Sequence, residues 1–526
     1  MSDQYDAVIV GAGHNGMAAA GYLSRAGKRV AVVERLGKVG GMTSSGYMIP
    51  EAPRHLVTPC AVELLFVRGT GLIDDLELAK YGLRTIDPDP TYAYLHPDGS
   101  SIAVFRDPRR TAEDMARLNR NDGKAYLKFM ELMDALMDIG FPLMMAEPGR
   151  PGIRSLVRMI GALIRNARLR EELTILANST SDQIACEWFE HPAAIALLTG
   201  IAAGAGPIDE DGNSAAYMIL SVLHRLGTGK PVGSLQSFAE AMRKSIEASG
   251  ATILLNAPVA EIIIDDGAAR GVRLENGHVL RAPVVIATCD PLTMMALTTP
   301  GRVERRLKAR IEHAPVNRWG GAPLLANIAM SGPLSLRRHQ EMRHDGADLN
   351  MAVGLIGTPE EVRGAFAAAR RGDIPIRHAI SVTPMSNIDP SQAPAGGSIA
   401  YIYLPAVAVD AREGWSPALK DRTMRSVMTH MSEFYDGFDT EIGRFVETPR
   451  EREVRVNATN GCVTHIDFGP MRSGSKRPAV GFGGPKPAIP GLFIGGAGAH
   501  PGGGISGIPG KIAATRAQRF LRAIKR

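Results

Sequence analysis

Cysteine is scarce in this 526-residue sequence, and the four that occur, Cys60, Cys186, Cys289 and Cys462, form no Cys-x-x-Cys pair and no metal-ligand spacing. That excludes a dithiol redox motif, a zinc site and a secreted disulfide framework; four ordinary buried thiols and no metal are the expectation. No apolar run approaches the ~20 residues that a transmembrane helix requires. No leader is expected, because an apolar strand begins within a few residues of Met1, and the expected location is cytoplasmic. Charge is weak, since a formal +6 is small for this length and the basic residues are dispersed, and nucleic acid is not an expected partner. No internal repeat and no low-complexity linker interrupts the chain. With 45% hydrophobic residues it can bury a large core, and its length points to two closely joined domains.

What is present is glycine at both ends. Residues 5–16 run as an apolar strand into Gly11-x-Gly13-x-x-Gly16, followed by helical spacing to about residue 25, and a second strand over 29–34 ends at Glu34. In that context Gly11 permits the tight turn, Gly13 lets a pyrophosphate approach the backbone, and Gly16 lets the helix pack on the sheet. The helix amides face the phosphates, and the Glu34 carboxylate accepts from ribose hydroxyls. A chance glycine turn is the alternative, and the acid at the strand end argues against it. His14 and Arg35 flank these positions. Gly40-Gly41-Met42 follows directly, a second close approach of backbone to cofactor or else a surface loop.

Residues 491–510 repeat the strand-into-glycine-turn pattern, which fits a flavin dinucleotide long enough to reach both ends of the chain. A helix starting near residues 504–506 would point its amides at the flavin pyrimidine edge, which becomes anionic on reduction. His500 lies inside this turn and His55 follows the glycine-pair segment. They are the two candidate catalytic groups, with a structural histidine as the alternative reading.

Three separated segments, 1–75, 226–299 and 456–526, carry this nucleotide-fold character: a helix over 235–248, strands at 252–255, 259–264 and 284–287, and turns at Asp265-Asp266-Gly267 and Glu275-Asn276-Gly277. Between them lie inserts 76–225 and 300–455. The first predicts helices over 111–137, 154–172 and 183–198; the second predicts a strand over 398–404 and a helix over 419–434. The expected fold is α/β, a discontinuous FAD-binding domain of the glutathione-reductase-like or amine-oxidase-like type with a mixed α+β substrate domain. Within 153–170, Ile153, Leu156, Val157, Ile160, Leu163, Ile164 and Leu169 alternate with arginines, which suits either an anionic membrane surface or a helix packed on its own domain.

The order Gly-Ala-Gly-His-Asn-Gly, Glu34, Gly40-Gly41, Asp75-Leu76-Glu77-Leu78-Ala79-Lys80-Tyr81-Gly82-Leu83, Leu95-His96-Pro97-Asp98-Gly99 and Gly-Ala-Gly-Ala-His-Pro-Gly-Gly-Gly-Ile-Ser-Gly-Ile-Pro-Gly resembles the phytoene-desaturase-related FAD oxidoreductases. It is most similar there to the FAD-type carotene ketolases and to the pyridine-nucleotide-disulphide-oxidoreductase-domain protein 2 group. The resemblance spans nearly the whole chain, strongly at the ends and loosely through the inserts. It implies non-covalent FAD held by Gly11, Gly13, Gly16, Glu34, Gly40, Gly41 and Val259, and by Gly496, Gly503, Gly504 and Ile505. Departures from the family pattern are Met42 after the glycine pair, Pro231-Val232-Gly233-Ser234 with one glycine fewer, and Ile49-Pro50-Glu51-Ala52-Pro53 in place of a Pro-Gly. The implied activity is desaturation or oxidation of a hydrophobic, isoprenoid or carotenoid-like substrate by hydride transfer to flavin N5, with oxygen or a quinone as electron acceptor. Ketolation, double-bond saturation, isomerisation and amine oxidation are alternatives on the same fold. A lipid-binding escort protein without redox chemistry is the alternative from another class.

Overall fold

The computed structural model describes residues 4–524. Five short parallel strands form the nucleotide sheet in the order Leu492–Ile494, Val285–Ala287, Ala7–Val10, Val30–Val33 and Thr252–Leu254. Four of them are apolar throughout, as strands covered on both faces must be. The alternation is complete across the two central strands. Ala7, Ile9, Val30 and Val32 pack under the helices His14–Ser24, Leu235–Ala248 and Ile508–Ile524. Val8, Val10, Ala31 and Val33 pack under an antiparallel meander of Val259–Asp265, Ala268–Leu274 and Val279–Arg281. The strands come from residues 7–33, 252–287 and 492–494, so distant pieces of the chain close one sheet.

A second, seven-stranded mixed sheet lies over this unit in the order Glu441–Glu447, Gly321–Met330, Ser398–Ala408, Ile380–Thr383, Val353–Ile356, Tyr92–Leu95 and Ser101–Val104. Only Val353–Ile356 against Tyr92–Leu95 is parallel; the other pairings are antiparallel. One face, carrying Leu324, Ala326, Ile328, Val382, Ile402 and Leu404, is sealed by the helix Pro417–Met431. The other face looks toward the nucleotide unit and a layer of helices, among them Arg120–Met145, Pro192–Ala203 and Met218–Leu226.

The helical layer is more broken than the periodicity predicts. The helix expected over 111–137 is two, Pro108–Ala116 and Arg120–Met145, because the Asn119 side chain caps a new start by accepting from Asn121 and Asp122. The one expected over 183–198 divides into Ser181–Trp188 and Pro192–Ala203, with Pro192 opening the second where its missing N–H costs nothing. The stretch 154–172 becomes Ile153–Arg165, a 3-10 turn at Ala167–Leu169, and Arg170–Asn178. The last helix begins at Ile508, later than the expected start near 504–506, with Gly510 inside its first turn. Among the thiols, Cys186 is exposed and sits 3.8 Å from Arg363 Nη2, contrary to the expectation of burial; Cys462 is buried. No helix of the described residues is long and apolar enough to cross a membrane.

Candidate active site

A single cavity of about 1900 Å³ runs from the nucleotide sheet to the seven-stranded sheet. It is about twice the upper end of the range for one drug-sized ligand, ~1,000 Å³. A dinucleotide and a substrate can share it.

At the nucleotide end the first strand stops at Val10 and the chain turns at Gly11, whose φ of +104° excludes ordinary side chains and whose N–H donates to Val33 at 2.8 Å. The helix starts at His14 with no side-chain cap, so its first-turn amides lack intrahelical acceptors. Gly16 faces inward: a Cβ there would run into the Gly11 carbonyl and lie 3.0 Å from Thr288 Oγ1. Gly13 faces the cavity, and a Cβ there would meet only the Gly40 carbonyl at 3.9 Å. Glu34 lines the same space, its carboxylate accepting from Ala12 N at 2.8 Å and Leu36 N at 2.9 Å while keeping lone pairs for ribose hydroxyls. His14 Nε2 is buried in the wall without a protein partner, an orphan that an anionic ligand would satisfy. These features fit an FAD adenosine diphosphate end.

Of the other expected binding residues, Arg35, Gly41, Met42, Val259, Gly503, Gly504 and Ile505 line the cavity. Gly40 and Gly496 lie behind the wall. Gly40 donates to Ala12 O at 2.9 Å with φ +121°, and Gly496 admits the Thr288 carbonyl so closely that any side chain would overlap it. Arg35 is spent on the Val454 and Arg455 carbonyls, which ties the nucleotide unit to the helix Pro449–Val456.

Neither candidate catalytic histidine lines the cavity, against expectation. His500 Nε2 lies 3.1 Å from the Leu143 carbonyl at the end of the helix Arg120–Met145, and His55, 4% exposed, has Nε2 3.3 Å from the Met330 carbonyl. Burial lowers the pKa of both, so each is a neutral strut between elements. The histidines on the wall are His14 and His465. Burial, reinforced by His465, pulls His14 down to about 4; burial also lowers His465, whose Nδ1 is unpartnered. No glycine pattern surrounds His465, so local sequence gave no signal of it.

Beneath the C-terminal turn lies Arg477, fully buried. It donates to the carbonyls of Thr464 at 2.8 Å, Ile466 at 2.7 Å and Ala497 at 3.1 Å, and packs 4.6 Å from the Phe468 ring. Burial holds its pKa near 10. It fixes the loop 464–468 against the turn that carries Gly503 and Gly504.

At the far end, alternate residues of the seven-stranded sheet face inward: Leu325, Val353, Leu355, Tyr401, Tyr403 and Tyr92. The register pairs Tyr92 with Val353 and Tyr403 with Leu325, giving one continuous wall. Ile201, Ile219 and Leu223 close it from the helical side. A buried ion pair gives polar relief in this apolar chamber: Lys230 Nζ to Glu63 Oε1 at 2.8 Å, with Tyr92 donating to Glu63 Oε2 at 3.1 Å. Glu63 lies close to the glycine-pair turn, since Ala61 N donates to Met42 O. Among the described residues no cluster of His, Cys, Asp and Glu is placed to hold a metal ion.

Known proteins agree with this geometry. The chain is 26% identical to pyridine nucleotide-disulfide oxidoreductase domain-containing protein 2 of Rattus norvegicus, over 99% of this chain and 94% of that one. It is 26% identical to a neurosporene-forming phytoene desaturase of Cereibacter sphaeroides, over 97% and 93%. A solved putrescine oxidase mutant shares the fold at a TM-score of 0.61 and 16% identity, covering 100% of this chain and 99% of that one. With the family model matching residues 16–507, the chain belongs to the flavin containing amine oxidoreductases and is an FAD-dependent oxidoreductase.

Proposed function

We propose that this enzyme desaturates or otherwise oxidises an apolar, isoprenoid-like substrate. The observation that carries the reading is the chamber itself: aliphatic side chains from two strands and two helices, with tyrosines from two further strands, joined directly to the nucleotide end and large enough for a long chain. Bound FAD supplies the hydride acceptor for such an oxidation. Ile201, Ile219, Leu223, Leu325, Val353 and Leu355 hold the apolar substrate and exclude water. Removing a hydride from one carbon leaves a proton to be taken from its neighbour, and the Glu63 carboxylate, oriented by Lys230 and Tyr92, is the acceptor on the wall. Similarity to a phytoene desaturase supports the same substrate class.

Amine oxidation, the activity in the family's name, has one observation in its favour: Glu63 with Tyr92, Tyr401 and Tyr403 makes a carboxylate and aromatic setting suited to a cation. Lys230 already fills that role at 2.8 Å, so an ammonium substrate would have to displace the chain's own cation from the carboxylate. The apolar reading is therefore the stronger. Organic extraction of the purified protein followed by mass spectrometry tests it. A co-purifying polyene or terpenoid supports the proposal, and a polar amine as the only bound small molecule besides flavin overturns it.

A further inference from the structure

The helix Ile153–Arg165 is amphipathic the wrong way round for a soluble domain. Its only buried residue is Ala162. Ile153 (75% exposed), Val157 (63%), Ile160 (52%) and Ile164 (71%) recur at spacings of four, three and four residues and form one stripe on the opposite side. An apolar stripe of this kind normally turns toward the core. Here it points away from the protein. The helix has no Asp or Glu, and Arg154, Arg158 and Arg165 run along one flank of the stripe without an ion pair among the described residues. Leu143 and Ile175, on the helices before and after, are also about half exposed.

We propose that this face docks on an anionic membrane leaflet, the stripe reaching the acyl boundary and the arginines meeting lipid phosphates. Charge complementarity selects this occupant over a second copy of the chain: an anionic leaflet offers phosphates to the arginine row, whereas the same helix of a second copy has no carboxylate to pair with it. Position adds to the argument. The helix lies within a segment whose two ends, Met144 on one side and Ala177 with Asn178 on the other, line the cavity. Docking would therefore set the cavity wall against the membrane, the phase in which an apolar substrate is dissolved. The docking itself does not depend on the substrate reading.

The test is flotation of the full-length flavin-loaded enzyme with vesicles of phosphatidylcholine and phosphatidylglycerol in equal parts, and with pure phosphatidylcholine. Wild type is expected to float with the anionic vesicles and to be released by salt. The triple variant Val157→Gln, Ile160→Gln, Ile164→Gln removes only exposed side chains and is expected to stay in the dense fraction while keeping its flavin and melting temperature. Arg154→Gln, Arg158→Gln, Arg165→Gln is expected to partition on the order of a hundredfold more weakly. Failure of wild type to bind anionic vesicles overturns the proposal, as does binding by both triple variants as strong as that of wild type. A wild-type dimer that the first variant converts to monomer, seen by light scattering, also overturns it and assigns the face to a second copy.

Discussion

Alanine at Gly16 and alanine at Gly13 should damage the protein in different ways, although both glycines belong to one fingerprint. At Gly16 the new methyl runs into the Gly11 carbonyl and approaches Thr288 Oγ1 at 3.0 Å, and a backbone carbonyl cannot step aside as a side chain could. Helix propensity returns about 1 kcal/mol for Gly to Ala, whereas overpacking against a rigid wall costs about 3 kcal/mol at the upper end. The expected net loss is about 2 kcal/mol, or about 2 °C in melting temperature for a chain of 526 residues. At Gly13, φ −70° and ψ 169° suit any residue, and the methyl would enter the cavity with the Gly40 carbonyl 3.9 Å away. Loss of a good N-cap and gain from a stiffer unfolded chain offset each other to within about 0.5 kcal/mol. The flavin-free protein should therefore melt like wild type. Its FAD affinity should fall at least tenfold, because the methyl occupies the space of the diphosphate, and valine there should abolish retention. Scanning fluorimetry of flavin-free protein and titration with FAD separate the two outcomes. A Gly13→Ala protein with wild-type FAD affinity, or a Gly16→Ala protein with wild-type stability, would refute the reasoning.

Other expectations follow from individual side chains. Glu63→Gln should keep FAD and lower turnover with an apolar substrate by about 10²–10⁴; unchanged turnover removes Glu63 as proton acceptor. Arg477→Met strips five carbonyls, those of Thr464, Ile466, Asp467, Arg472 and Ala497, of their donor, so thermal scanning should show a loss of about 3 kcal/mol and weaker flavin retention; a wild-type melting curve contradicts the role assigned to it. Burial, with His430 adding to it, pulls fully buried His378 down to about 4. Its folded pKa lies below the unfolded value, so the unfolded chain takes up protons first and stability is lost as pH falls from about 6.5 toward 4. His378→Gln should flatten that slope in chemical denaturation, and an unaltered slope assigns the acid sensitivity elsewhere. His500→Gln and His55→Gln should leave the pH profile of turnover unchanged, because neither ring reaches the cavity.

The nucleotide end was legible because its chemistry is local. A strand, a turn that only Gly11 can make and an acid at the end of the next strand fall within thirty residues, and the register of each is set by near neighbours. The substrate chamber was not legible. Tyr92, Leu325, Val353 and Tyr403 come from four strands separated by as much as three hundred residues, and only the pairing register puts them side by side. Those strands are also buried on both faces, as in Ser398–Ala408, which erases the alternation that would have marked the inward row. Adjacency to a glycine motif misled in the case of His500: the turn carries its neighbours Pro501 and Gly503 to the cavity and its own ring to Leu143. His465 reaches the wall through a backbone φ of +63° that composition does not announce.

The most direct test of the central claim is anaerobic mixing of the yellow enzyme with an acyclic polyisoprenoid hydrocarbon delivered in vesicles. The account predicts bleaching of the oxidised flavin with formation of an equal amount of product two hydrogens lighter. No bleaching by any apolar hydrocarbon, together with rapid bleaching by a small primary amine, would contradict it.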